Sequence, residues 1–176
     1  MIHFKQIVKS FGKQQVLHGF DILINEPGIY AILGPNGSGK TTLIKTLMGM
    51  VHPDAGEIWF MNQRVVGNNY RRHLAYLPQI ARFPENLTPI EYLDLIENIR
   101  GPASRRNTLT NHFGLELFLN KTLRNLSGGT RQKINLVSAL MYDTQVLVLD
   151  EPTIGLDPVA LLKLKDWIKQ ERSAEK

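Results

Sequence analysis

The sequence predicts an α/β fold with a mostly parallel sheet, a small antiparallel β subdomain at the N-terminal end and an inserted helical subdomain. Three observations carry that prediction. Strand-like apolar runs alternate with stretches of helical spacing, the order of a layered α/β core. A glycine-rich loop, GPNGSGKT, stands between one such run and one such stretch. The most hydrophobic run, VLVL, ends in an adjacent acidic pair, Asp150 and Glu151.

Each element follows in order. IHFKQIVKSF and HGFDILIN are β-rich and bounded by Gly12 and by Glu26-Pro27-Gly28, which reads as two strands of the antiparallel sheet. GIYAILG is a short continuous apolar run, the pattern of a strand buried on both faces. After the loop Gly34 to Gly39, KTTLIKTLMGM reads as helix, closed by Gly49 and Pro53. GEIWFMNQRV is a further β segment and LAYLPQ a short buried strand.

From Phe83 the character turns helical. TPIEYLDLIENIRG has Thr88 as N-cap, Pro89 in the first turn and Glu91 three residues after the cap. TLTNHFGLELFLNKTLRNL continues helical but broken, and QKINLVSALMYD is helix again. VLVLD is a buried strand, and after EPTIGLDP the run VALLKLKDWIKQERSAEK is an amphipathic helix ending in charge. The organisation is one domain over 1–176, with a core of 1–82 plus 134–176 and a helical subdomain over 83–133.

Composition narrows the function classes. At 176 residues, 43% hydrophobic and 21% charged, the chain can bury a real core. No apolar run approaches the roughly 18 residues a membrane span needs. With no cysteine, there is neither a disulfide framework nor a thiolate metal site. The formal charge of +5 is spread along the chain, with Arg71-Arg72 and Arg105-Arg106 the densest groups. That scatter favours a solvated or phosphate-facing surface over a nucleic-acid stripe.

The chemistry lies in four short motifs. GPNGSGKT matches G-x-x-x-x-G-K-[ST] at Gly34, Gly39, Lys40 and Thr41. Glycines let successive backbone N–H groups point at phosphate oxygens; Lys40 reaches the β- and γ-phosphates and the Thr41 hydroxyl ligates Mg2+. Asp150, at a strand end, suits Mg2+, and Glu151 is placed to orient or deprotonate an attacking water. Standing alone, that pair would read as a strand-ending acidic turn. Gln79, after LAYLP, could reach both the metal and the water, though alone it would be an ordinary loop glutamine. RNLSGGTRQKINL places Ser127, Gly128 and Gly129 at a second helix start, again a place for an anion.

The phosphate loop, Gln79, LSGG, VLVLDEPT and GLDP, in that order, closely resemble the ATP-binding-cassette ATPases over essentially the whole chain. The resemblance implies a P-loop NTPase core, ATP and Mg2+ as cofactors, and a head-to-tail dimer with a second cassette subunit. Gly34, Pro35, Asn36, Gly37, Ser38, Gly39, Lys40, Thr41 and Thr42 would hold ATP in cis. Ser127, Gly128 and Gly129 would serve the nucleotide of the partner subunit, and Asp157 in GLDP matches the loop that crosses to it. Phe11 sits where the family stacks an aromatic on adenine; a core phenylalanine on an edge strand is the competing reading. Catalysis falls to Glu151, Gln79 and Lys40, and the metal to Thr41, Gln79 and Asp150.

Two departures stand out. Thr130 replaces the glutamine frequent in the family's signature, which implies an altered helix start with the glycine donors retained. All five histidines, His3, His18, His52, His73 and His112, precede Asp150, so none matches the family's γ-phosphate histidine. The chain therefore reads as a cassette truncated at its C-terminus, with its own hydrolysis in doubt.

A short linker between Gln79 and Ser127 leaves no room for long coiled coils, which favours a transporter subunit, cytoplasmic and peripheral on the inner face of the membrane. PQIARFPENLTPIEYL lies where transporter cassettes receive an integral membrane permease subunit, with Phe83 and Tyr92 as groove residues; for Tyr92, spaced with Leu95, packing within the subdomain is the preferred reading. More narrowly, LPQIARFPENLT and LSGGTRQKINLVSALMYD resemble the ATPases that support maturation of nitrous-oxide reductase, implying copper or sulfur delivery. A soluble non-transport switch and a non-hydrolysing module are the other two readings.

Overall fold

The computed structural model describes residues 1–173. They form two compact units, one over Met1–Leu74 and one from Ala75 onward.

The first unit is built on a four-stranded sheet of order β2-β1-β3-β4. Strands β1 (Ile2–Phe11) and β2 (Gln14–Ile24) form an antiparallel hairpin, and β1 also pairs antiparallel with β3 (Ala55–Phe60). Strand β3 turns through Met61 and Asn62, both at positive φ, into the two-residue β4 (Gln63–Arg64). Ile2, Phe4, Ile7, Ile58 and Phe60 are the buried face. The β1 ladder slips between Phe4 and Ile7, where Gln6 takes φ 51°. Gly56 sits against that slip: a Cβ there would lie 2.3 Å from the Gln6 carbonyl oxygen, so only glycine lets the two strands meet. Helix α1 (Lys40–Leu47) buries Leu43, Thr46 and Leu47. It ends at Gly49, whose left-handed backbone is the usual stop.

The expected buried strand GIYAILG takes a different form. It belongs to neither sheet, and Ile29, Tyr30, Ile32 and Leu33 are exposed, Leu33 at 89%. An apolar run supplies the side chains of a buried strand, but a strand also needs a ladder partner, and no ladder among the described residues includes this segment.

The second unit pairs β5 (Leu74–Leu77) with β6 (Val146–Leu149) and packs helices around one core. Helix α2 (Pro89–Arg100) starts with the predicted capping box: Glu91 N–H donates to Thr88 Oγ1, and Thr88 N–H donates to the Glu91 carboxylate at 2.8 Å. Helices α3 (Arg106–Phe113), α4 (Gly128–Leu140) and α5 (Pro158–Ser173) follow. The core holds Leu93, Leu109, Phe113, Leu123, Ile134, Val137, Leu140, Leu164 and Trp167. Arg105 bridges Asp143 and Glu171, fastening the start of α3 to α5. Strand β6, expected to be fully buried, is half-buried at all four residues in this two-stranded sheet.

Candidate functional site

In the first unit the phosphate loop opens α1 as the sequence requires. Gly37 and Gly39 take φ 81° and 91°, conformations that L side chains rarely adopt. Gly39 is the N-cap of α1 and lies against β2; a Cβ would come within 2.9 Å of Leu17 and 3.1 Å of the Val16 carbonyl oxygen. At Gly34 a Cβ would meet Ser38 Oγ at 2.7 Å. The loop closes on itself through Ser38 N–H to the Pro35 carbonyl at 3.2 Å. Lys40 Nζ donates to the carbonyls of Gly34 at 2.8 Å and Pro35 at 2.9 Å, so its ammonium is arched over the loop. Pro35, Asn36, Gly37 and Ser38 are exposed, and Thr41 and Thr42 occupy the first turn of α1. A curled loop, backbone N–H groups at a helix start and a cation over the loop form an anion cradle.

Phe11 ends β1 with its ring 50% exposed and Lys9 Nζ 5.5 Å from the ring centre. At that exposure Phe11 is not a core phenylalanine, and the Lys9 ammonium lies over its ring. The same unit has a cavity of about 320 Å3 lined by Thr46, Gly49, His52, Glu57, Arg64 and Arg71. None of the sequence-predicted site residues lines it.

In the second unit, β5 and β6 end side by side. Asp150 N–H donates to the Leu77 carbonyl at 3.0 Å, and the Asp150 side chain is buried at 5% exposure. Burial raises the pKa of the neighbouring Tyr76 phenol, and the Asp150 charge adds to that rise. Glu151 follows on the exposed side with φ 50°. Gln79, two residues past β5, donates its side-chain Nε2–H to Glu151 Oε2 at 2.8 Å. The structure thus brings together two residues 72 positions apart that the sequence could nominate only separately.

Ser127 is the N-cap of α4, with Gly128 and Gly129 in its first turn. Thr130 N–H donates to Ser127 Oγ at 3.2 Å, and the two hydroxyls lie 2.8 Å apart. Thr130 thus meets Ser127 through both its N–H and its hydroxyl, and Gly128 and Gly129 stand in the first turn of the helix. Asp157 caps α5 by accepting Ala160 N–H at 2.8 Å and pairs with Lys133 of α4 at 2.7 Å. Both interactions lower its carboxyl pKa, the Lys133 bond most.

Phe83 packs edge-on against Tyr92 at 5.0 Å, and both rings lie against the core. The preferred reading of Tyr92 stands and extends to Phe83; Ile80 is the exposed large apolar residue of this stretch, and Leu95 and Ile99 are exposed further along α2. Three residues escaped the sequence reading: Lys133, Gln132 and Asn135. The available signal was two carboxamides three apart in α4, a spacing that places both on one face of the helix.

A phosphate loop at a helix start, with a glutamine and an acidic pair at neighbouring strand ends, defines a nucleotide-phosphate-binding protein. The family model for ABC transporters matches residues 17–154, and the chain belongs to that family as an ATP-binding domain. It is 34% identical over 168 residues to the daunorubicin resistance ATP-binding protein DrrA3 of Streptomyces coeruleorubidus, covering 92% of this chain and 53% of that protein. It is 35% identical over 166 residues to the Nod factor export ATP-binding protein I of Burkholderia lata, covering 90% and 55%. The chain spans about half the length of these curated relatives. A solved ATP-binding subunit of an ABC transporter superposes with TM-score 0.89 at 28% identity, over 99% of this chain and 75% of that one. A nucleotide-free cassette from an ABC transporter, at 24% identity and TM-score 0.81 over 99% and 78%, shares the fold. Among the described residues, no helix is long and apolar enough to cross a membrane.

Proposed function

We propose that this chain is the ATP-binding and hydrolysing part of an ABC transporter that powers an integral membrane permease. The observation that carries the reading is the Gln79–Glu151 bond, which presents a carboxylate beside the buried Asp150 in a chain that also carries an intact phosphate cradle. Gly34 to Thr42 take the phosphates, Lys40 neutralises the β- and γ-phosphate charge, and Phe11 stacks on adenine. Glu151 accepts a proton from the attacking water, and Gln79 orients it.

Hydroxyl, carboxamide and carboxylate oxygens are hard donors, the set that suits Mg2+. Thr41, Gln79 and Asp150 would hold it, and the ion would supply charge neutralisation at the phosphates. Ser127, which caps the helix, and the backbone N–H groups of Gly128 and Gly129 in its first turn serve the nucleotide of a second cassette, with Asp157 in the crossing loop. The ATP-binding core takes 1–82 and 134–176, and the helical subdomain 83–133. The protein works on the cytoplasmic face of the membrane, with no role for nucleic acid.

The narrower reading is copper or sulfur delivery for nitrous-oxide reductase maturation, supported by LPQIARFPENLT and the α4 sequence. The names of the relatives, daunorubicin resistance and Nod factor export, support a transporter working on other cargo. The test is co-purification with the membrane protein encoded beside it, together with ATP turnover by the full-length protein. MgATP-stimulated pairing with that membrane protein is expected. Turnover without any membrane partner would favour the soluble switch, and MgATP binding without turnover the non-hydrolysing module.

A further inference from the structure

Helix α4 carries Ser127 at its N-cap and turns two carboxamides inward. Gln132 and Asn135 lie three residues apart, and both are buried, Asn135 at 3% exposure. A buried amide is costly unless its groups are bonded. Asn135 Nδ2 lies 3.3 Å from the Pro78 carbonyl oxygen and 3.4 Å from Gln132 Oε1. Two acceptors around one atom require that it be the NH2 group, which fixes the orientation of the amide. Pro78 has no N–H, so its carbonyl is its one backbone hydrogen-bonding group. That carbonyl belongs to the peptide from which Gln79 extends. Gln79 in turn donates to Glu151 at 2.8 Å.

We propose that Asn135 is a positioning residue for the reaction: it fixes the Pro78–Gln79 peptide and so holds Gln79 against Glu151. The inference rests on the roles proposed above for Gln79 and Glu151. Two residues earlier on the same helix, Lys133 reaches Asp157, six residues beyond Glu151. The helix led by Ser127 therefore grips the chain at Pro78 and again at Asp157. Displacing that helix moves the partner of Glu151 and the turn that follows it together.

A double-mutant cycle in the full-length protein tests this. Asn135→Leu keeps the volume and removes the donor. It should lower kcat about five- to tenfold at unchanged KM for MgATP, the scale of one neutral hydrogen bond. In a Gln79→Ala background the same change should have no further effect. A residue that merely supported the fold would cost the same factor in both backgrounds, and that result overturns the proposal. Wild-type kcat in Asn135→Leu overturns it as well. Circular dichroism checks each variant; if the leucine form does not fold, Asn135→Ala removes the donor without adding bulk and carries the same comparison. Glu151→Gln is measured alongside. If it turns over at the wild-type rate, the role of Glu151 is at fault rather than that of Asn135.

Discussion

Lys133 Nζ lies 2.7 Å from Oδ2 of Asp157, while the N–H of Ala160 donates to Oδ1 of the same carboxylate at 2.8 Å. One side chain thus caps α5 and ties it to α4. The Lys133 bond and then the Ala160 N–H keep the Asp157 pKa below its ordinary value. A carboxylate depressed in the folded state stabilises it fully above its unfolded pKa of about 4 and loses that contribution as pH falls through the folded value. Asp157→Asn should therefore be less stable than wild type near neutrality, and the gap should close below about pH 4. Melting temperatures of both forms across that range check it; a gap independent of pH would contradict the linkage.

Lys40→Ala removes the ammonium arched over Gly34 and Pro35 and leaves the loop's N–H donors in place. MgATP affinity should fall by about 1.5–3 kcal/mol, the scale of charge-assisted hydrogen bonds, with the fold retained. Titration calorimetry measures this directly. Unchanged affinity in a folded variant would remove Lys40 from the phosphate site.

Glu151→Gln preserves an acceptor oxygen for the Gln79 amide but abolishes the base. In the full-length protein, turnover should be lost while MgATP binding persists and ATP-bound dimers accumulate. Single-turnover kinetics with size-exclusion chromatography separate the two effects. Hydrolysis at the wild-type rate would assign the water to another group.

A mixed dimer tests whether Ser127 acts across the interface. One subunit carries Ser127→Arg, which fills the anion position, and the other Lys40→Ala. Built head to tail, both lesions fall on one composite site and the other stays intact. The heterodimer should then keep one working site, whereas either homodimer has none. ATP-dependent association of differently tagged subunits, and their turnover, provides the readout. Activity no better than the homodimers would place Ser127 outside any site shared between subunits.

Much of this was legible in the residues. The hairpin from Ile2 to Ile24, the phosphate loop opening α1 and the capping box at Thr88 are local features, set by short-range periodicity, glycine and side-chain caps. What escaped was non-local. GIYAILG has the composition of a buried strand, yet pairing depends on a neighbour that its own letters do not specify. Phe83 could be read as exposed because its ring partner, Tyr92, is nine residues away around a helix start. Gln79 and Glu151 were nominated by strand-end position, but their bond depends on how β5 and β6 lie together. Asn135 looked like one polar letter in a helix; only its burial against Pro78 distinguishes it.

The backbone of Glu151 has an evolutionary consequence. Its φ of 50° is a left-handed conformation, whose strain for an L residue is on the order of 1–2 kcal/mol and which glycine adopts freely. Asn is the next most tolerant, and β-branched residues are the worst fitted. Replacements that relax the chain at this position are therefore ones that discard the carboxylate. Drift here is asymmetric: Gly or Asn relieves a strained turn, so such copies keep the fold while losing the carboxylate proposed as the base. On the role proposed for Glu151, cassettes that bind ATP without turning it over are the expected descendants of a site built this way, with the bond from Gln79 as the contact that opposes the drift.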